Sequence, residues 1–161
     1  MHTKLNNTLF DALLLEANNS TRKRSHFNLH SSHEDQVQRL CIALKKGTYI
    51  RPHHHPQKNK WELMLPLRGE VALVLFDSQG TITEKLTLTA ANDLSAFEMP
   101  PNTWHTVFPI TDDAIILEVK EGPYTPAQET DFATWAPAEG NNDVDDFLTW
   151  LEAANVGQTY G

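Results

Sequence analysis

The sequence predicts a mainly β fold, two packed sheets or a barrel, with a helix added at each end. Three observations lead there. Between Gly47 and Lys120, short apolar runs alternate with turn signals at about the ten-residue spacing of an all-β sandwich or barrel. Runs such as "LVLF" and "IILEV" are continuously apolar, which predicts strands covered on both faces. At the two flanks the period changes to that of a helix: Leu9, Phe10, Leu13, Leu14 and Ala17 share one face, and Phe147, Trp150 and Leu151 stand at i, i+3 and i+4.

The elements follow in order. Asn6 or Asn7 can cap the first helix, and Asn18-Asn19-Ser20 ends it. The basic cluster Arg22-Lys23-Arg24 leads into two strands, around 26–30 and 37–44. Seven runs come next: "TYIRPH", "WELMLPL", "VALVLF", "TITEKLTL", "SAFEMP", "HTVFPI" and "AIILEVK". "RGE", "DSQG" and "TDDA" read as hairpin connections, "AAND" as a loop and "PPNT" as a turn. Pro66 cannot donate to a ladder, so its strand should bulge or lie at an edge there. Beyond Lys120, "EGPYTPAQETDFATWAPAEGNN" carries the aromatic anchors Tyr124, Phe132 and Trp135, which predicts an ordered wrap rather than a free linker. The last helix starts with acidic residues, as its dipole favours.

The length of 161 residues suits one domain: a helical extension over 1–25, a β-barrel core over 26–122 and an acidic wrap with helix over 123–161. A formal net charge of -8 argues against a nucleic-acid partner, because nothing would compensate the phosphates. Glu129, Asp131, Glu139, Asp143, Asp145, Asp146 and Glu152 fall after Pro123 with no Lys or Arg among them, which reads as a solvated acidic surface. Cys41 is alone in an apolar run, which excludes an intramolecular disulfide and fits a buried thiol in a reducing compartment. The apolar stretch near the N-terminus is interrupted by Asp11 and Glu16, and no run reaches membrane-spanning length. A soluble cytoplasmic protein with no membrane partner is expected.

The chemistry gathers at "RPHHHPQKNKWE". On an extended strand, side chains two apart point the same way, so His53 and His55 share a face and His54 opposes them. A hairpin would return Glu62 beside His55, and "MPPNTWHTV" can bring His105 to the same cavity. Three imidazoles and one carboxylate make a set for one divalent ion, Zn, Fe, Mn or Ni, with one or two coordination positions left open. Glu118 is a charge within an apolar strand and calls for a partner if buried. Tyr124 can donate a proton or pack the wrap. Arg51 and Lys60 flank the metal-motif strand ends and can hold an anionic group, and His26, Asn28 and His30 alternate as a polar wall of the cavity. Trp104 should point away from His105.

Gly47, five residues, His53-x-His55, six residues, Glu62, six residues and Gly69 resemble the first cupin motif, with a longer gap between histidine and glutamate. Pro100 to His105 resembles the second, with Asn102 in a glycine position, Leu94 replacing its opening glycine and Pro109 its closing asparagine. Together with "HFNLHSSHEDQVQRLCIALKKGTY", "LEVKEGPYTP" and "FATWAPAEG", these segments resemble the WbuC-type cupin-fold metalloproteins found among bacterial surface-polysaccharide genes. The resemblance implies an antiparallel jelly-roll barrel with a metal held by His53, His55, Glu62 and His105.

From that site a small polar or sugar-type substrate is expected, with the metal as Lewis acid and Glu118 or Tyr124 moving a proton in an isomerisation or epimerisation. A mononuclear iron oxygenase and a non-catalytic sugar-binding or scaffold cupin are the alternatives. The apolar first helix and the edge strands leave room for a homodimer.

Overall fold

A computed structural model describes residues 2–91 and 93–161. Helix α1 (Asn7–Asn19) opens the fold, and the Asn6 side chain accepts the Leu9 N–H at 3.1 Å as its cap. Eight strands follow: β1 (Arg24–Asn28), β2 (Val37–Lys45), β3 (Glu62–Arg68), β4 (Glu70–Phe76), β5 (Ile82–Thr89), β6 (Phe97–Met99), β7 (Trp104–Pro109) and β8 (Asp113–Glu121). A 3₁₀ turn (Glu129–Asp131) and helix α2 (Val144–Ala153) complete the wrap. One sheet runs β1-β2-β8-β3-β6 and the other β5-β4-β7, with every pairing antiparallel. The two sheets face each other as an antiparallel jelly-roll barrel.

Strand alternation sorts the apolar residues into three layers. Leu44, Leu73, Leu88, Val107 and Ile116 meet between the sheets. Outside the larger sheet, Phe10, Leu13 and Leu14 of α1 cover Cys41, Ala43 and Ile115. Outside the smaller one, Phe147 and Leu151 of α2 cover Ala72, Val74 and Phe108. Both faces of each sheet are therefore buried, which explains why "LVLF" and "IILEV" lack the alternation of a half-exposed sheet. Cys41 has no exposure, and burial pushes its thiol pKa up.

Pro66 sits at the expected irregularity. The pairing of β3 with β8 shifts between Pro66 and Arg68, and β6 pairs with β3 only over Glu62–Met64, so no ladder bond is lost at the proline. Gly69 turns the following hairpin at φ +73, and Asn102 holds φ 68 in the "PPNT" turn, a conformation asparagine tolerates better than most. Of the loop at "AAND", Asn92 lies outside the described residues.

Three expectations need revision. The first strand lies at Arg24–Asn28 rather than 26–30, because the chain leaves the ladder after Leu29 N–H bonds the Arg39 carbonyl. "TYIRPH" is not a regular strand: Pro52 has no N–H, and only His53 bridges to neighbours, His105 on one side and Phe132 on the other. The acidic segment is only partly a solvated surface, since Glu129 and Glu139 are tied to arginines across the molecule. Among the described residues no helix is long and apolar enough to cross a membrane.

Candidate metal centre

The ligand segment is extended without belonging to a regular strand. His53 N–H donates to the His105 carbonyl at 3.0 Å and His105 N–H to that of His53 at 2.9 Å, while His54 N–H reaches the Asp131 carbonyl at 2.9 Å. This double support sets the alternation. His53 and His55 face the interior. His54 points outward, stacked on Trp104 at 3.9 Å between ring centroids, with Nδ1 2.7 Å from Asn102 Oδ1. Trp104 thus turns away from His105, as strand phase requires.

The potential ligand atoms of His53, His55 and His105 lie within 4.8 Å of one another. Glu62 joins them, with Oε1 3.1 Å from His55 Nε2 and Oε2 3.2 Å from His105 Nε2. Both Nε2 atoms are buried, and neither has a hydrogen-bond partner among the described residues. Such unpaired buried nitrogens cost stability unless something else occupies their lone pairs. Two of the three histidines use the opposite ring nitrogen: His53 Nδ1 is 3.0 Å from the Arg51 carbonyl and His105 Nδ1 2.9 Å from that of Thr103. A proton on Nδ1 donates to each carbonyl and leaves Nε2 bare, the arrangement that orients a metal-binding imidazole.

Electrostatics support the same donor set. Burial, reinforced by His105 and His55, pushes the His53 pKa well below its ordinary value, and burial lowers that of His105. For Glu62 burial opposes ionisation, but His105, His55 and Lys120 outweigh it and hold the carboxyl well below the usual carboxylate range. Imidazoles reluctant to hold a proton, at His53 and His105, beside an ionised carboxylate suit a divalent ion, whose own charge takes the place of the imidazolium protons. The residues present fit such an ion.

Lys120 escaped the sequence reading although Glu118 was singled out two positions earlier. Its ammonium lies 2.6 Å from Glu118 and 3.4 Å from Glu62. Burial lowers the Lys120 pKa, but the two carboxylates more than reverse this and raise it above the ordinary lysine value. The register explains the meeting: Gln38, Lys120 and Glu62 form one cross-strand row, and Leu40, Glu118 and Met64 the next. Cross-strand neighbours share a face, so both rows point into the barrel.

His53 and His55 line a cavity of ≈ 740 Å³, behind which His105 is buried. His26, Asn28, His30, Arg51, Glu118 and Tyr124 line it, so the structure brings together most of the residues named from sequence. Lys60 is elsewhere. It is buried, and its ammonium donates to the carbonyls of Glu121 (2.7 Å) and Pro123 (2.8 Å), fastening the start of the wrap. Arg51 donates to the Ala133 carbonyl and pairs with Glu129 at 2.8 Å. His30 is pinned by the Arg39 N–H, which donates to its Nδ1 at 3.0 Å. Tyr124 is 46% exposed at the rim, its ring 4.8 Å from that of His33. Arg22, Arg24 and Glu139 also line the cavity and were not expected there. The period-two relation of Arg24 to His26 was the available signal.

A family model described as a domain of unknown function (DUF6016) matches residues 5–88. The chain belongs to this family. In this DUF6016 protein the matched region runs from α1 through most of β5 and carries His53, His55 and Glu62, whereas His105 lies beyond it. Comparison with curated protein sequences finds no match. Among solved structures, a conserved protein of unknown function from Streptococcus pyogenes is similar at TM-score 0.51 and 14% identity, over 78% of this chain and 92% of that one. Oxalate oxidase in complex with the substrate analogue glycolate also gives 0.51 at 14% identity, over 66% of this chain and 55% of that one. A cupin superfamily protein from Desulfitobacterium hafniense matches at TM-score 0.47 and 17% identity, over 61% of this chain and 76% of that one. Likeness at this identity bears on the fold alone.

Proposed function

We propose that this protein is a metal-dependent enzyme of the WbuC type that isomerises or epimerises a small polar, sugar-type metabolite. His53, His55, Glu62 and His105 hold one divalent ion. The observation that carries this reading is the pair of buried, unpartnered Nε2 atoms of His55 and His105, each 3.1–3.2 Å from Glu62, with His53 and His55 lining the adjacent cavity. Bound there, the ion supplies Lewis acidity toward a substrate oxygen. The chain's own residues supply the rest. Glu118 lines the cavity as a carboxylate able to take a proton from substrate carbon, with the Lys120 ammonium 2.6 Å away. Tyr124 at the rim offers a phenolic proton from the other end. The resemblance to proteins of surface-polysaccharide genes directs the substrate search toward sugars.

Metal analysis after reconstitution with Zn, Fe, Mn or Ni tests the site. Wild-type protein and His54→Ala should each retain about one equivalent, and His55→Ala should lose it. No ion in wild type with any of the four would refute the assignment, and loss in His54→Ala would refute the strand phase. Equal turnover with and without oxygen separates this chemistry from that of an oxygenase.

A further inference from the structure

The whole chain is acidic, yet the cavity beside His53 and His55 is not. Four cations, Arg22, Arg24, Arg51 and Lys120, line it against the carboxylates Glu118, Glu129 and Glu139, while the protein as a whole carries -8. Lys120 is spent on Glu118 and Glu62, and Arg51 on Glu129 and the Ala133 carbonyl. The remaining two arginines share one carboxylate. Arg22 grips Glu139 through Nε at 2.7 Å and a terminal nitrogen at 2.8 Å, and Arg24 reaches it at 3.0 Å while donating to the Tyr49 carbonyl at 2.7 Å.

Two guanidiniums offer ten N–H bonds, of which these contacts use four among the described residues. Arg24 has a side-chain exposure of 7%, so its charge is largely withdrawn from water. A buried charge that shares its counterion needs more anion than it has. The single carboxylate comes from an exposed part of the wrap, where a ligand's own anion can compete for the same planar donors.

We propose that Arg22 and Arg24 are the anion-recognition end of this cavity, and that its ligand is a polar molecule bearing a carboxylate or phosphate. This rests on the reading of the cavity as a substrate site. Arg24 is tied to Tyr49, four residues before His53, so anion and histidines stand on the order of 10 Å apart along an extended chain. That span suits a sugar acid, a sugar phosphate or something longer, with its reacting end at the histidines. Glu139 holds the place of the ligand's anion and is displaced when it binds.

Isothermal titration of the intact protein with D-glucuronate, D-glucose 6-phosphate and D-glucose tests this. At least one anion should bind ten-fold or more tighter than glucose, and which one does so tells carboxylate from phosphate. Arg24→Gln should cut that preference at least five-fold, whereas Glu139→Gln, which frees both guanidiniums, should strengthen anion binding. Should Arg24→Gln fail to fold, Arg22→Gln, whose side chain is 55% exposed, carries the same expectation. Equal behaviour of the three sugars, including no binding by any, overturns the proposal. So does loss of the preference in Glu139→Gln, which would make the cluster only a clasp for the wrap. Metal content of the same preparations separates the two readings: arginine variants retain the ion even if the anion preference fails, and a wild type that takes up no ion leaves the anion titration intact.

Discussion

Lys120→Met removes one cation from between two carboxylates, and the structure sets the size of the effect. The ammonium lies 2.6 Å from Glu118 and 3.4 Å from Glu62, with side-chain exposures of 17%, 8% and 4% for the three residues. At an effective dielectric of ~20 the two attractions come to about 11 kcal/mol. Desolvating the ammonium offsets several kcal/mol of that, and the methionine side chain packs in its place. The loss should therefore fall near the ~3–5 kcal/mol typical of a buried pair deprived of one partner. For a chain of this size that lowers Tm by about 10 °C. The metal-free variant should bear the full cost. A divalent ion at Glu62 would replace the missing charge for one of the two carboxylates, so saturating metal should recover about half of the loss. Thermal unfolding of wild type and variant, each with EDTA and with excess divalent ion, measures both effects. A variant as stable as wild type would refute the ionised cluster. An ion that stabilises the two proteins equally would show that it does not sit at Glu62.

Acidification should destabilise the metal-free protein in a defined window. His53 and His105 have pKa values lowered by burial, so the unfolded chain binds more protons below ~6.5; their stabilisation is present above that value and is lost as pH falls toward the folded pKa values, by up to about 2.7 kcal/mol per pH unit for two groups. Urea titrations at pH 8, 6 and 5 check the sign, and bound metal should dissociate over the same range. Phe147→Ala empties the centre of the layer under α2, where Phe147 has no exposure and its ring is 4.9 Å from that of Tyr160, and should cost about 3–5 kcal/mol while metal content stays at one equivalent. Gly69→Ala forces a side chain into φ +73 and its Cβ against the Asp113 carbonyl, so chemical denaturation should show a loss of at least about 2 kcal/mol.

What could be read in the sequence was local. Alternation and turn chemistry located the strands after Glu62 to within a few residues, because each strand is bounded by its own Gly, Pro or Asp signal. Asn6 and Asn7 marked the start of α1 for the same reason, Asn6 being the cap, and the common face of His53 and His55 needed only an extended backbone. The features missed depend on register. Lys120 meets Glu62 across 58 residues, and Arg22 meets Glu139 across 117. No periodicity within one strand specifies which row of the next strand lies opposite. Lys60 shows the converse failure: nearness in sequence to the metal motif suggested a substrate contact, but the turn after Gln57 carries its ammonium to the carbonyls of Glu121 and Pro123.

The wrap ties these observations together. The segment carrying His53 and His55 has β7 on one side, and on the other it needs Asp131 and Ala133 to complete its backbone bonding, with the His54 N–H donating to Asp131 and the Ala133 N–H to Pro52. The same stretch of chain delivers Glu129 to Arg51 and Glu139 to Arg22 and Arg24. One element therefore holds the histidines in phase and supplies the carboxylates that meet Arg22, Arg24 and Arg51 in the cavity lining. Displacing Glu139 loosens only the far end of that element, whereas displacing Asp131 would release His54 and with it the alternation that points His53 and His55 inward. The wrap can thus exchange the Glu139 carboxylate for a ligand's anion, as proposed above, without disturbing the segment that orients His53 and His55.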